Sequence, residues 1–367
     1  MASLVLLDAT PLSGPDNERG TQTYVRGVIG AMRRLPVVER PDLIVAPDVP
    51  GRDDFVIRRL PRRHGRADWV RTRRSTDAIA AQTEVADLVH LTSPDTAIAA
   101  PVQISSCHDL IPLRFPAIEL GAGRSRARRR YNRFLDRLLW ARLVLVPSQA
   151  TANDLTELLA IPAHRIRVIP YGAPERAIAR RAVAGTDQEP YLLVVGNREP
   201  HTNAALAVRA LARTNPRHGL RLVIAGVDDR RRRDRLERLA TALGVDARTQ
   251  IHGVLAPAQL SELRTGAVGA VVPSRIDGFS VPALAGMAHG IPIVASDIPA
   301  LGEVLGPAGL VVPGFNPDVW AEAFDGLAED AHLREQLAQG SRSRAARLSW
   351  THTAVRTCAC YAEVRDE

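Results

Sequence analysis

Lysine does not occur in this chain: all 48 basic residues are arginine, so no site chemistry here rests on an ammonium group. Aromatic residues make up only 4% of the sequence and do not interleave with the basic ones. Helix-turn-helix and zinc-finger spacings are also missing, so nucleic acid is not an expected partner. The three cysteines, two of them close together as Cys358 and Cys360, form no disulfide framework and fit a reducing cytoplasm. A Cys-x-Cys pair alone is not a metal site, no other metal-ligand cluster is visible, and neither metal nor cofactor is expected. No apolar run approaches the roughly 20 residues that span a bilayer. The opening run Met1–Asp8 is too short for a signal peptide and reads as a first strand. These features predict a cytoplasmic protein.

The 367 residues suffice for two domains, and a hydrophobic content of 46% is that of a globular chain. A net charge of +8 and a pI near 10.3 point to an anionic partner such as a nucleotide or an acidic lipid headgroup.

The most informative stretch runs from Ser274 to Asp297. Gly269–Pro273 before it is a short apolar run of the kind that forms a buried parallel strand. A Gly278-Phe279-Ser280 turn follows, and Pro282 suits a first helical position. Ala283, Leu284, Met287 and Ala288 fall at helical spacing, Gly290 and Pro292 end the helix, and residues 291–296 read as the next strand. Strand, glycine turn and helix N-terminus leave backbone N–H groups open to a phosphate-bearing ligand; an ordinary βαβ unit with nothing bound reads the same way.

Further strands are read at residues 43–46, 55–57, 87–91, 102–107, 143–148, 166–169, 191–196, 220–226, 250–255 and 309–312, with an arginine-rich loop at 58–74. A Thr10–Gly20 loop precedes a helix with Tyr24, Val25, Val28, Ile29 and Met32 on one face. Residues 124–142 read as an amphipathic helix burying Tyr131, Phe134, Leu135, Leu138 and Leu139. Arg126, Arg129, Arg130, Arg133 and Arg137 line its other face, which is either a solvated surface or a dock for anionic lipid at the inner face of the membrane.

Taken together, Ser274–Asp297, its continuation Pro299–Val304, and the His108-Asp109-Leu110-Ile111-Pro112 motif resemble the family 4 retaining glycosyltransferases. The resemblance covers nearly the whole chain. It implies an α/β GT-B fold: two Rossmann-like, doubly wound parallel-sheet domains facing across a cleft. The expected boundaries are 1–173 and 191–348, a linker at 174–190, and a terminal helix at 349–367 crossing back to the first domain. It further implies transfer of a hexose, mannose-like, from a nucleotide-sugar donor to a glycan or lipid-linked acceptor. His108 and Asp277 would flank the transferred sugar as catalytic residues. Donor binding would fall to Gly20, Gln22, Gly196, Asn197, Arg198, His201, Thr202, Val254, Gly278, Phe279, Ser280, Val281 and Ala285.

Three of these positions depart from the family pattern. Gln22 replaces a glycine, Thr202 replaces the lysine of an Arg-Lys diphosphate clamp, and Ala285 replaces the glutamate that holds the ribose. His201 stands at the clamp's arginine position, and Arg198 is the nearby cation. Two readings stay open: a retaining transferase with altered donor recognition, or a non-catalytic relative acting as partner or regulator.

Overall fold

The computed structural model describes residues 4–12, 20–36, 40–45, 55–59, 86–93, 102–116, 125–174, 189–196 and 200–366. The chain divides into two units: Met1–Gly172 with Trp350–Glu367, and Ala173–Ser349.

Unit 1 is built on seven parallel strands: β1 (Val5–Asp8), β2 (Asp42–Val45), β3 (Ile57–Arg59), β4 (Leu88–Leu91), β5 (Gln103–Ser106), β6 (Leu143–Val146) and β7 (Ile166–Val168). Their spatial order is β3-β2-β1-β4-β5-β6-β7. Strands β1, β4, β5 and β6 are buried on both faces, which is why β1, β4 and β6 read as mainly apolar runs rather than alternating ones; β5, Gln-Ile-Ser-Ser, is buried but largely polar. Helices α1 (Gly20–Met32), α2 (Ser125–Trp140) and α3 (Gln149–Leu159) belong to this unit. Ser148 caps α3 by accepting the Thr151 N–H at 3.1 Å.

Unit 2 holds six parallel strands: β8 (Tyr191–Val195), β9 (Arg221–Ala225), β10 (Thr249–Ile251), β11 (Gly269–Val272), β12 (Ile293–Ser296) and β13 (Leu310–Val312), in the order β10-β9-β8-β11-β12-β13. Around them run α4 (Ala204–Leu211), α5 (Arg230–Ala242), α6 (Pro257–Gly266), α7 (Val281–Ala288), α8 (Pro299–Leu305), α9 (Pro317–Glu329) and α10 (Ala331–Ala346). Trp320 and Phe324 of α9 anchor its core as an edge-to-face pair. In each sheet the strand order reverses beside the first strand, β1 or β8. Each unit is thus Rossmann-like, with its ligand crevice expected at that reversal.

The chain's last helix, α11 (Trp350–Asp366), packs with unit 1. Thr353 donates to the Pro170 carbonyl at 2.7 Å, and Arg167 pairs with Glu363. The deepest link is a buried polar chain. Tyr361 donates to His90 Nδ1 at 2.8 Å; His90 Nε2–H donates to Ser106 Oγ at 2.9 Å; Ser106 donates to the Tyr24 hydroxyl at 3.3 Å. Tyr24 bonds in turn to the Thr357 side chain. Helices α1 and α11 are thereby tied through β4 and β5.

Several expectations shift. Strand β3 begins two residues later than read, because the Leu43 N–H takes the Val56 carbonyl and places Ile57 opposite Leu43. Arg58 and Arg59 consequently lie in that strand, not in a loop, while residues 60–74 fall outside the described residues. Residues 252–255 continue past β10 as loop, and α7 starts at Val281, making Pro282 its second residue. Leu139, read as buried, is exposed. Most of the expected linker lies outside the described residues.

Gly27 marks where α1 and α11 meet: a Cβ there would lie 2.2 Å from Trp350 Cε2. Gly27→Ala is expected to lower stability by about 1–3 kcal/mol, measured by urea unfolding. The loss should shrink in a Trp350→Leu background, since the clash is with that ring.

Candidate functional site

In unit 1 the strand-order reversal lies between β1 and β4. There the Thr92 hydroxyl donates to the Asp8 carbonyl at 2.7 Å, and the Asp8 carboxylate takes the Thr10 N–H at 3.0 Å and hydroxyl at 2.6 Å. His108, just beyond β5, reaches back to this corner: its Nε2 is 2.8 Å from the Thr92 carbonyl. A carbonyl only accepts, so Nε2 carries the proton. Nδ1 then accepts from the Tyr171 hydroxyl, 2.5 Å away. Tyr24 packs edge-on against the His108 ring, and Tyr171 stacks on Trp350. Burial, partly opposed by the Thr92 hydrogen bond, lowers the His108 pKa to about 4. The imidazole is neutral and both its nitrogens are engaged.

Gly20 and Gln22 fall on the first turn of α1. A Cβ on Gly20 would meet nothing within 4 Å. Gln22 is 8% exposed and its Oε1 has no hydrogen-bond partner among the described residues. Such an orphan acceptor costs folding free energy unless a ligand donor meets it.

In unit 2 the reversal lies between β8 and β11. Gly196 ends β8 with φ +88°, a conformation that favours glycine, and a Cβ there would stand 3.5 Å from Pro282 Cγ. The turn after β8 therefore abuts the N-terminus of α7. His201 and Thr202 form a short 3-10 turn leading to Asn203, which adopts φ +57° before α4. The His201 carbonyl accepts the Arg275 N–H at 2.9 Å, joining this turn to the one after β11.

Asp277 Oδ1 takes the Ser280 N–H at 2.9 Å and the Phe279 N–H at 3.3 Å, curling the chain so that Ser280 enters α7 at φ +61°. Burial raises the Asp277 pKa; the Ser280 contacts, the His201 charge and the Phe279 N–H pull it back down. The Ser280 side chain makes no cap hydrogen bond to α7 and Pro282 carries no N–H, so the first-turn N–H groups left outside the helix ladder are those of Val281 and Ala283. Ala285, at 2% exposure, lies in the α7 core face and offers no polar group. Gly278 and Phe279 are buried beneath the turn.

The structure thus gathers Gly196, His201, Thr202, Asp277, Gly278, Phe279, Ser280 and Val281 around one helix N-terminus. Val254 is exposed beyond β10, two strands further along the sheet from β8. Asn197 and Arg198 lie outside the described residues. Three features escaped the sequence reading: Tyr171 holding His108, His90 in the buried chain, and Arg275, whose guanidinium carbon lies 5.5 Å from the Phe315 ring centroid.

Comparison with known proteins matches residues 19–175 to the model described as Glycosyltransferase Family 4, and residues 175–344 to the one described as Glycosyl transferases group 1. Among curated relatives, D-inositol 3-phosphate glycosyltransferase of Nocardia farcinica is 31% identical over 55% of this chain and 48% of its own length. MMP alpha-(1->4)-mannosyltransferase of Mycolicibacterium hassiacum is 28% identical over 59% of this chain and 53% of its own. These matches span about half the length of the relatives. Among solved structures, sucrose-phosphate synthase from Thermosynechococcus elongatus superimposes with a TM-score of 0.76 at 21% identity, covering 99% of both chains. Anabaena HepE in complex with UDP-glucose gives 0.73 at 14% identity, over 98% of this chain and 99% of HepE.

The histidine geometry sets a pH dependence. His90 and His108 titrate near 6.5 when unfolded but only near about 3 and about 4 in the fold, burial being the chief cause. Between these values the unfolded chain binds more protons, so their contribution to stability is present above 6.5 and lost as pH falls towards 4. The melting temperature should therefore drop on acidification from about pH 7 to about pH 5. His90→Gln should flatten that slope; a slope unchanged in the variant would remove His90 from the account.

Proposed function

Because this chain belongs to the family 4 glycosyltransferases and has their GT-B fold, we propose that it transfers a mannose-like hexose from a nucleotide-sugar donor, with retention, to a glycan or lipid-linked acceptor. The observation that carries this reading is the N-terminus of α7 at the unit 2 strand reversal, without a side-chain cap from Ser280 and with the positive-φ Gly196 turn packed beside Pro282. In such a reaction the bond from the anomeric carbon to the diphosphate oxygen breaks, and the acceptor oxygen bonds to that carbon on the same face. The leaving diphosphate gains negative charge, and fixed N–H dipoles stabilise it with little reorganisation.

Asp277 serves this arrangement by shaping the turn, since its carboxylate holds the Phe279 and Ser280 N–H groups and leaves those of Val281 and Ala283 to the ligand. Arg198 supplies the cation that Thr202 lacks. On the unit 1 side, His108 offers a ligand a neutral, fixed imidazole rather than an acid or base. The structural neighbour HepE is described with UDP and glucose, which supports a nucleoside diphosphate as the group to test. The buried, apolar Ala285 favours the alternative of a relative without donor binding, because a ribose would find no carboxylate there.

Calorimetric titration with GDP, UDP and ADP separates the two. Micromolar binding of one nucleotide, weakened roughly tenfold or more by Arg198→Ala, is expected for a transferase. No binding of any nucleotide by a folded sample would establish the non-catalytic reading instead. For a lipid-linked acceptor, the exposed Arg129, Arg130 and Arg133 of α2 would meet an anionic membrane surface, whereas Arg137, read as part of that row, is half-buried with one Nη enclosed.

A further inference from the structure

Trp140, the last residue of α2, is 85% exposed, and its neighbour Leu139 is exposed as well. A tryptophan so uncovered is uncommon on a soluble surface; its apolar body and polar N–H suit a membrane–water interface. Beside it opens a cavity of about 710 Å³ at the N-terminal ends of β6 and β7, lined by Trp140, Arg142, His164, Arg165, Arg167 and Glu363. This is the opposite end of the sheet from His108, which follows the C-terminal end of β5, so the cavity is separate from the site described above.

Three guanidiniums line the cavity against one carboxylate, and Arg167 already pairs with Glu363. Arg165 is preorganised: one Nη donates to the Leu139 carbonyl at 2.7 Å and to the Ala141 carbonyl, fastening it to the end of α2. No described residue takes its Nε or other Nη, which leaves one edge of the fork for an anion. Along α2 itself Arg128, Arg129, Arg130 and Arg133 are exposed.

We propose that this end of unit 1 docks on an anionic phospholipid surface. Trp140 and Leu139 enter the interface, and the cavity around Arg142 and Arg165 receives a headgroup phosphate. The inference goes beyond the transferase reading and does not rest on it, since this end of unit 1 lies away from His108.

The test is co-sedimentation at low salt with vesicles of phosphatidylcholine alone and with vesicles also carrying phosphatidylglycerol. The full chain should sediment with the anionic vesicles only, with a blue shift in tryptophan emission. Trp140→Ala and Arg142→Gln should each weaken binding about fivefold or more while circular dichroism and nucleotide titration stay those of the parent. Millimolar glycerol phosphate should not displace the protein, since a free phosphate lacks the apolar interface. Absence of binding to anionic vesicles, equal binding by Trp140→Ala, or full displacement by glycerol phosphate would each overturn the proposal. Nucleotide binding retained in such a case would leave the transferase reading standing.

Discussion

The buried hydrogen-bonded chain from Tyr361 through His90 and Ser106 to Tyr24 is the constraint on which unit 1 depends. Every member is buried, so each bond is strong and each unmade bond would be costly. The chain fixes α11 to β4 and α1 to β5, and α1 in turn carries Tyr24 against His108. His108 inherits its neutrality and orientation from the same packing, with Tyr171 and Thr92 at its two nitrogens. A residue that resembles a catalytic histidine is here first a well-satisfied, half-buried packing group.

Among the described residues, the unit 2 strand reversal carries the α7 N-terminus, beside His201, Thr202 and the exposed Arg275. Its geometry depends on Asp277, whose carboxylate closes the turn, and on Gly196, whose positive φ brings the preceding loop against Pro282. Backbone dipoles need no side-chain entropy to be held in place, so such a site tolerates the loss of long cationic side chains better than an arginine–lysine clamp would.

Much of this was legible in the sequence because it is local. The apolar runs of β4, β6, β11 and β12, the turn at Gly278–Ser280 and the helix that follows depend on neighbours a few residues away. What was not legible depends on distance along the chain. Tyr171 lies 63 residues from His108, and Tyr361 lies 271 from His90. No spacing rule connects such pairs. Leu139 shows a different limit: helical periodicity identifies a face, but not where the neighbouring surface that covers it stops. Asp277 shows a third, for its position was readable while the two N–H groups occupying its oxygen were not.

The closeness of α1 and α11 at Gly27 and Trp350 has a consequence for how the protein is made. Unit 2 is a single continuous segment, whereas unit 1 needs its last helix from residues that leave the ribosome after all of unit 2. During synthesis Tyr24, His90 and Ser106 wait without Tyr361 and Trp350, and the groove that Gly27 keeps open stays empty. Unit 2 is therefore free to fold first, with the N-terminal sheet finishing only once α11 has emerged, the reverse of the usual order.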